Sequence, residues 1–588
     1  TCQAHAAAEE TARSRPNVVL IMTDDQGYGD LSCHGNPWLK TPNLDRLASQ
    51  SIRLDDYHVS PYCIPTRAAL MTGRYADRTG VHNVLAPHWF ARTNEVMLSR
   101  MFQDAGYATG MFGKWHLGDN YPYGPEHRGF GEVLHHYGGA GGGLNDYWNN
   151  SYVDDTYYGN NDEPTKVNGY CTDVFFSAAT RFINNAAEHD KPFFLYLTTN
   201  APHGPYICDP AYSKPYAEGK TRNVANFYGM IANIDKNVGT LRKFLKEKGI
   251  DRNTIFIFTT DNGTAAGHTV FNAGMRGNKF SPYDGGHRVP FFLHWPDGGF
   301  AEQRRIQTLT AHIDIAPTLL DLCGIARPDG VKFDGVSIRP LLEKGDHKEW
   351  PDRIIMTDTQ YNGPPKKWVT AVLSERWRLV GGRELYDIDA DPGQKKNVYA
   401  EHPEVVQRLS SFYDALWEEM KPTFKDVAEI PLGHPRASHV ALNYHDCIGR
   451  HKFWFQDGIR RITDKIDPPE SKRRRAFWPV NVVTEGEYTI ELRRWPKELG
   501  AAIRANIPPG DKVYGRPAFR TTPGMGFPAV EASLSIGGRS FTEPVDDQAK
   551  GITFRVELPK GSHRLSARFI DAERRSLDAF YAYVTKSE

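Results

Sequence analysis

Asn17-Val18-Val19-Leu20-Ile21-Met22 runs straight into Thr23-Asp24-Asp25-Gln26-Gly27. The unbroken apolar run reads as a strand buried on both faces, the pattern of a parallel sheet. The polar tip marks its carboxyl end, where open α/β sheets hold their ligands. The same unit recurs along the chain. A strand at 107–112 leads into Gly113-Lys114-Trp115-His116-Leu117-Gly118. Lys191-Pro192 opens Phe193-Phe194-Leu195-Tyr196-Leu197, which ends in Asn200-Ala201-Pro202-His203. Ile255-Phe256-Ile257-Phe258 ends in Thr259-Thr260-Asp261-Asn262-Gly263. Helical segments lie between. Thr41-Pro42-Asn43 caps one whose apolar face includes Leu44, Leu47 and Ala48, residues 95–105 form one stopped by Gly106, and Thr172 caps another. Ile231, Ile234, Val238, Leu241 and Leu245 recur at helical spacing until Gly249. This rhythm predicts an α/β fold: a large mixed, mostly parallel sheet flanked by helices.

After about residue 345 the pattern changes. Short strands at 353–356, 369–373, 377–380 and 384–386, then a helix with Val405, Leu409, Phe412 and Leu416 on one face, predict a small antiparallel subdomain. Beyond about 430 the chain is β-rich. Tyr488, Ile490 and Leu492 alternate with polar neighbours. Ile552, Phe554, Val556 and Leu558 alternate, turn at Pro559-Lys560-Gly561 and return through Leu565, Ala567 and Phe569 as a hairpin. The expected division is a tail at 1–14, an α/β domain at 15–345, an antiparallel subdomain with a closing helix at 346–430, and a β-sandwich-like module at 431–588.

A chain of 588 residues is too long for one core. Hydrophobic residues at 40% and charged residues at 24% are ordinary for a soluble globular protein. Lys plus Arg equals Asp plus Glu at 71 each, so no basic excess points to nucleic acid. No stretch approaches a membrane span. Lys472-Arg473-Arg474-Arg475 reads as a solvated loop. Seven cysteines are too few for a disulfide-stapled scaffold. A Cys171–Cys208 bridge is one option, and free buried thiols are the expectation. Ala6-Ala7-Ala8 reads like the small-residue end of a secretory signal, so a periplasmic or secreted protein is expected.

The chemistry concentrates at Cys63-Ile64-Pro65-Thr66-Arg67, which continues to Thr72-Gly73-Arg74. Pro65 suits the first turn of a helix and Gly73 its end. Cys63 then stands where a loop enters a helix, among backbone N–H groups and a dipole that attract anions. With Arg67 one turn on, a lowered thiol pKa is expected. From these five residues alone, a buried structural thiol explains the pattern equally well. Asp24, Asp25, Asp261 and Asn262 are hard oxygen donors at strand ends, favouring Ca²⁺ or Mg²⁺ over zinc. One such Asp would be read as a helix cap; two polar pairs after apolar strands are read as a metal site. Lys114 and His116 are two apart and face the same way on an extended backbone.

Cys-x-Pro-x-Arg followed by Thr-Gly-Arg resembles the signature of the formylglycine-dependent type I sulfatases of the alkaline phosphatase superfamily. Gly113-Lys114-Trp115-His116 is similar to that family's Gly-Lys-x-His, and His203 stands in Ala-Pro-His. Gly277-Asn278-Lys279, ahead of Tyr283-Asp284-Gly285-Gly286-His287-Arg288-Val289-Pro290, resembles its Gly-Lys segment before Glu-Gly-Gly-x-Arg-x-Pro. The resemblance covers roughly residues 15–430. It implies that a formylglycine-generating enzyme oxidises Cys63 to formylglycine, whose hydrate is the nucleophile. It implies Ca²⁺ on Asp24, Asp25, Asp261, Asn262 and residue 63. It gives Arg67 and the ion the hydrate's oxygens, Asp261 a part in deprotonating one of them, and Lys114 and Lys279 the sulfate charge. His203 and Lys279 serve the leaving oxygen, and His116 takes the proton that lets the aldehyde reform. A sulfated carbohydrate is the expected substrate, from the resemblance, the signal-like start and aromatic loop residues such as Trp89, Tyr147, Trp148 and Tyr206, which ordinary packing also explains. The alternatives are a phosphodiester or phosphonate monoester hydrolase of the same superfamily, and a non-catalytic polysaccharide-binding protein. Four departures bear on the substrate: Asn278 for a frequent glycine, Asp284 for a glutamate, His287 for an aliphatic residue, and the glycine-rich 137–143 where many relatives carry a polar contact.

Overall fold

The computed structural model describes residues 15–84, 88–343, 350–360, 363–449, 455–462, 465–469, 475–516 and 518–587. The tail with its signal-like alanines and the basic residues 472–474 lie outside the described residues.

A ten-stranded sheet carries the larger part of the chain. Its strands run in the order Arg304–Ile306, Ile52–Leu54, Phe291–His294, Thr254–Thr260, Asn17–Thr23, Phe193–Thr198, Ala108–Lys114, Glu132–His136, Thr156–Tyr158 and Pro164–Lys166. The middle of the sheet is parallel: Asn17–Thr23 pairs with Phe193–Thr198 and Thr254–Thr260, and Ala108–Lys114 with Phe193–Thr198 and Glu132–His136. Phe291–His294 and the last two strands are antiparallel, so the sheet is mixed. Val18 to Thr23 are all buried, as a strand covered on both faces requires. Alternation divides the core into two layers. Val19, Ile21, Leu195 and Phe256 pack under helices Pro42–Ser49, Cys171–Glu188 and Arg222–Glu247. Val18, Leu20, Tyr196 and Ile255 pack against Cys63–Thr72, Leu98–Asp104 and Ile315–Leu322.

Local boundaries depart from the sequence reading. The helix placed at 95–105 is Leu98–Asp104, and Thr172 lies in the first turn of Cys171–Glu188 rather than capping it. The small antiparallel sheet runs Ile355–Asp358, Thr370–Leu373, Trp377–Val380, Glu384–Asp387. Helix Pro403–Met420 covers it with Leu409, Tyr413, Leu416, Trp417 and Met420, and the predicted Val405 and Phe412 pack against the same cluster half-buried.

The C-terminal strands form two sheets. One contains Ile430–Leu432, Trp478–Val482, Gly561–Asp571, Ala529–Ile536 and Arg539–Pro544, with Ser576–Asp578 paired at Gly561–Asp571. The other contains His439–Asn443, Tyr581–Lys586, Gly486–Arg493 and Ile552–Leu558. The predicted hairpin is therefore corrected. Ile552–Leu558 pairs with Gly486–Arg493, whereas Gly561–Asp571 pairs with Trp478–Val482 and Ala529–Ile536, so Pro559-Lys560 crosses from one sheet to the other. Trp478, Val480, Ile490 and Leu534 belong to the same packed cluster as Val18 and Leu20 of the central strand. All six cysteines among the described residues are free thiols. No helix among the described residues is long and apolar enough to cross a membrane.

Candidate active site

Three parallel strands deliver the site. Asn17–Thr23 ends at Asp24 and Asp25, Ala108–Lys114 at Lys114, and Thr254–Thr260 at Asp261 and Asn262. Helix Cys63–Thr72 sets its N-terminus beside them, with extended Tyr62 before it and Gly73 closing it in the left-handed region at φ 66°. One turn in, Arg67 is fully buried. Its Nη2 donates to Asp261 Oδ2 at 2.7 Å and its Nη1 to the Lys114 carbonyl at 3.0 Å. The arginine thus ties the nucleophile helix to two strand ends at once.

Each carboxylate at the centre meets one cation. Lys114 Nζ lies 2.6 Å from Asp24 Oδ2, Lys279 Nζ 2.5 Å from Asp25 Oδ1, and Arg67 holds Asp261. Asn262 Nδ2 donates to Asp25 Oδ1 at 2.8 Å, and Asp25 N donates to Asp261 Oδ1 at 3.1 Å. His203 Nε2 stands 3.7 Å from Asp25 Oδ2, while its Nδ1 donates to the Gly204 carbonyl at 2.5 Å. Burial, then repulsion from Asp261, pushes the Asp24 carboxyl well above its usual range. Burial acts the same way on Asp25, but Lys279 and His203 hold it at about 2. Burial, reinforced by Lys279, lowers His203 to about 3.

Two buried oxygens, Asp24 Oδ1 and Asn262 Oδ1, make no hydrogen bond. Asp24, Asp25 and His203 bring ligand atoms within 4.8 Å of one another. Orphaned buried oxygens among acidic donors fit a hard divalent cation, because each would otherwise carry its full desolvation cost.

The sequence expectation for Cys63 needs one correction. Its thiol pKa is raised, not lowered, because burial outweighs the attraction of Lys114 and Lys279. The route by which Lys114 and His116 share the site also differs. The strand ends at Lys114, and His116 takes a left-handed φ of 59°, so the chain turns between them. Trp115 N and His116 N donate to the carbonyls of His136 and Tyr137 at 3.1 Å each, which holds that turn. One glycine of the glycine-rich loop is explained by the same residue: a Cβ on Gly139 would meet His116 Cε1 at 2.8 Å. Of the four aromatic residues assigned to a sugar, Trp89 and Trp148 are buried packing residues, and Tyr147 and Tyr206 are half-buried.

Sequence reading missed three nearby histidines. His136 ends its strand opposite Lys114 and contacts Asn200, a position that an apolar strand ending in His-His could have suggested. His445 follows the strand His439–Asn443, with its ring 4.8 Å from Trp89; nothing local marks it. His58 reaches the segment after Lys279 and is taken up below.

The protein-family model for Sulfatase matches residues 16–325, and that for the N-sulphoglucosamine sulphohydrolase C-terminal region matches 277–421. The chain is 31% identical over 518 residues to N-acetylgalactosamine-6-sulfatase of Homo sapiens, covering 79% of this chain and 94% of that protein. It is 33% identical over 354 residues to arylsulfatase A of Homo sapiens, covering 56% and 68%. The crystal structure of Ps i-CgsB in complex with k-i-k-neocarrahexaose superposes with a TM-score of 0.61 at 26% identity, covering 70% of this chain and 94% of that one. The chain belongs to the sulfatase family of the alkaline phosphatase superfamily and is a sulfuric ester hydrolase.

Proposed function

We propose that this sulfatase removes sulfate from a sulfated carbohydrate, with Cys63 converted to formylglycine by a formylglycine-generating enzyme and with Ca²⁺ held by Asp24, Asp25, Asp261, Asn262 and residue 63. The observation that carries this reading is the pairing of three buried carboxylates with three buried cations at the N-terminus of the Cys63 helix. The carbohydrate is supported by the relatives' names, since one curated relative that covers 79% of this chain is an N-acetylgalactosamine-6-sulfatase. When present, formylglycine supplies the hydroxyl nucleophile of its hydrate and the calcium ion supplies positive charge against the sulfate oxygens.

The remaining work falls to this chain's own side chains. Asp24 Oδ1 and Asn262 Oδ1 offer lone pairs that no protein donor uses. Lys114 and Lys279, which hold Asp24 and Asp25, would be free to turn their ammoniums toward an anionic group if those carboxylates held a divalent cation. Arg67 keeps Asp261 fixed and brings a full positive charge to the nucleophile's turn. His203 turns Nε2 to the site; the ring that burial and Lys279 keep neutral would gain its proton there once an anionic sulfate ester is bound, and pass it to the leaving sugar oxygen. His116, one turn of backbone beyond Lys114, takes the proton that releases the product.

Mass analysis of the peptide carrying residue 63, from protein made with the modifying enzyme, should find the aldehyde. Elemental analysis should find calcium and no stoichiometric zinc. Cys63→Ala should abolish turnover of sulfate esters with the melting temperature unchanged; activity persisting in it would remove the nucleophile. Phosphate esters turned over faster than sulfate esters on the same preparation would favour the phosphoester hydrolase instead.

A further inference from the structure

Apart from the catalytic cluster, Asp56, His58, Asp284, His287 and Arg378 form a second buried group of charges. Arg378 Nη2 donates to both oxygens of Asp56, at 2.7 and 2.9 Å, and Nε to Asp284 Oδ1 at 3.3 Å. His58 Nε2 lies 2.9 Å from Asp56 Oδ1, and His287 Nε2 lies 3.2 Å from the Pro282 carbonyl. The two Nδ1 atoms face each other at 2.8 Å.

Counting hydrogens leads to a contradiction for two neutral rings. A carbonyl oxygen only accepts, so His287 Nε2 carries a hydrogen. Burial pushes the Asp56 carboxyl up, but Arg378 and His58 hold it well below the usual range, so it is ionised and also only accepts. His58 Nε2 therefore carries a hydrogen too. Arg378 Nη2 also comes within 3.3 Å of that nitrogen, but a bare Nε2 would then set its lone pair 2.9 Å from the ionised Asp56 Oδ1, so the hydrogen stays on Nε2. Neutral rings would then present bare lone pairs to each other across 2.8 Å.

Either a proton or a metal ion resolves this. Ligand atoms of His58, Asp284 and His287 do lie within 4.8 Å of one another. However, two nitrogens on a tetrahedral zinc, each about 2.0 Å from it, stand about 3.3 Å apart. The observed 2.8 Å is an N–H···N distance. Charge decides the same way: Asp56 and Asp284 against Arg378 and one imidazolium sum to zero, whereas a divalent ion leaves an excess of positive charge beside a buried arginine. We propose that His58 and His287 share one extra proton, His58 being the imidazolium that donates to both Asp56 and His287, and that this pair positions the active site. The second half of that statement rests on the sulfatase reading above.

The positioning follows from what the pair joins. Val59 N donates to the His287 carbonyl at 2.8 Å and Phe280 N to the Pro61 carbonyl at 2.7 Å. The segment that delivers Cys63 thus lies along the segment that delivers Lys279. Gly263 N, next to Asn262, donates to the Gly286 carbonyl at 2.8 Å. The imidazole pair clasps these segments side chain to side chain. The groups facing it are Asp56, Asp284, Arg378, Arg288 at the margin, and His312, whose Nδ1 stands 3.1 Å from the His58 carbonyl.

Two variants and one spectrum test the proposal. In His287→Asn the amide oxygen stands near the Nδ1 position and still accepts from His58; in His287→Leu nothing accepts. The Asn variant should keep kcat within a few-fold. The Leu variant should lose about 10- to 100-fold in kcat at nearly constant KM, as a displaced catalytic geometry does. Nitrogen-15 histidine spectra of the full chain, taken at the pH of the activity assay, should show one ring protonated at both nitrogens, absent from His287→Leu. Such a signal in the wild type decides the matter even where the Leu variant fails to fold. Its absence, equal losses in the two variants, or a second bound metal ion per chain would overturn the shared proton. A wild type without sulfatase activity would defeat the functional reading while leaving the spectrum to judge the pair.

Discussion

At the scale of the residue, the site's charges are legible and its proton traffic is not. Asp24, Asp25, Asp261 and Asn262 announce themselves as polar tips after apolar strands, because a buried parallel strand has no other use for paired oxygens at its end. His58, His287 and His445 carry no such mark, since the contacts that bring them together, His58 with His287 and His445 with Trp89, join residues hundreds of positions apart. His203 gives the sharpest test of role. A sugar alkoxide is a poor leaving group and needs a proton as its bond breaks, whereas a nitrophenolate is stable as an anion. Positioned acid catalysis is worth about 10²–10⁴-fold. His203→Ala should therefore lose most of that factor in kcat/KM on a sulfated sugar and much less on an activated aryl sulfate. Lys114→Ala removes the charge proposed to face the sulfate itself and should damage both substrates alike. An equal loss on both substrates for His203→Ala would make it a sulfate-binding residue.

At the scale of the element, the central strands could be read because runs buried on both faces leave one interpretation. The C-terminal hairpin could not. Alternation and a turn look the same whether a strand folds back on its neighbour or crosses to a facing sheet, and the partners that decide, Gly486–Arg493 and Trp478–Val482, are remote. The loop at 137–143 shows an element shaped by what approaches it. Its glycines admit His116 at Gly139 and the buried Arg520 side chain at Gly142, which also takes φ 79°. Arg520 Nη2 donates across to the Asn150 carbonyl at 3.1 Å, so the loop is fastened by the C-terminal part of the chain. Gly142→Ala should lower stability by about 1–3 kcal/mol, through overpacking and a left-handed backbone that alanine resists. Gly139→Ala meets only the edge of a ring and should leave the melting temperature almost unchanged while lowering kcat. Melting curves and kinetics on both variants check this; a Gly139→Ala enzyme with full activity would mean that His116 has room to move.

At the scale of the molecule, the change of pattern near residue 430 marks a change of architecture, yet the core runs through it, and so does a buried acid pair. Asp119 follows the Lys114–His116 turn, and Asp446 follows His445. Asn443 Nδ2 donates to both carboxyls, at 2.9 and 3.0 Å, and Trp89 Nε1 donates to Asp446 Oδ1 at 3.2 Å. Burial raises Asp119 to about 6 and, with the charge of Asp119, raises Asp446 well above the carboxylate range, so the pair holds a proton between them. Asp77 and Asp358 form a second such pair, and burial raises Asp30 to about 7. An acid with a raised folded pKa binds a proton that the unfolded chain has already lost. Its contribution to stability therefore falls as pH rises from about 4 toward the folded value. Buried histidines act in the opposite sense. His135 and His312 are lowered to about 3 and His445 to about 4, chiefly by burial, so their contribution is lost as pH falls below about 6.5. Between about 4 and 6.5 the two trends oppose each other; above 6.5 only the acids still change. The melting temperature should therefore decline between pH 6.5 and 8. Asp446→Asn replaces the shared proton by an amide hydrogen that is kept at every pH, so its decline should be shallower by up to about 1.4 kcal/mol per pH unit. Parallel declines in wild type and Asp446→Asn would show that the two halves of the molecule meet through charges balanced by some other group.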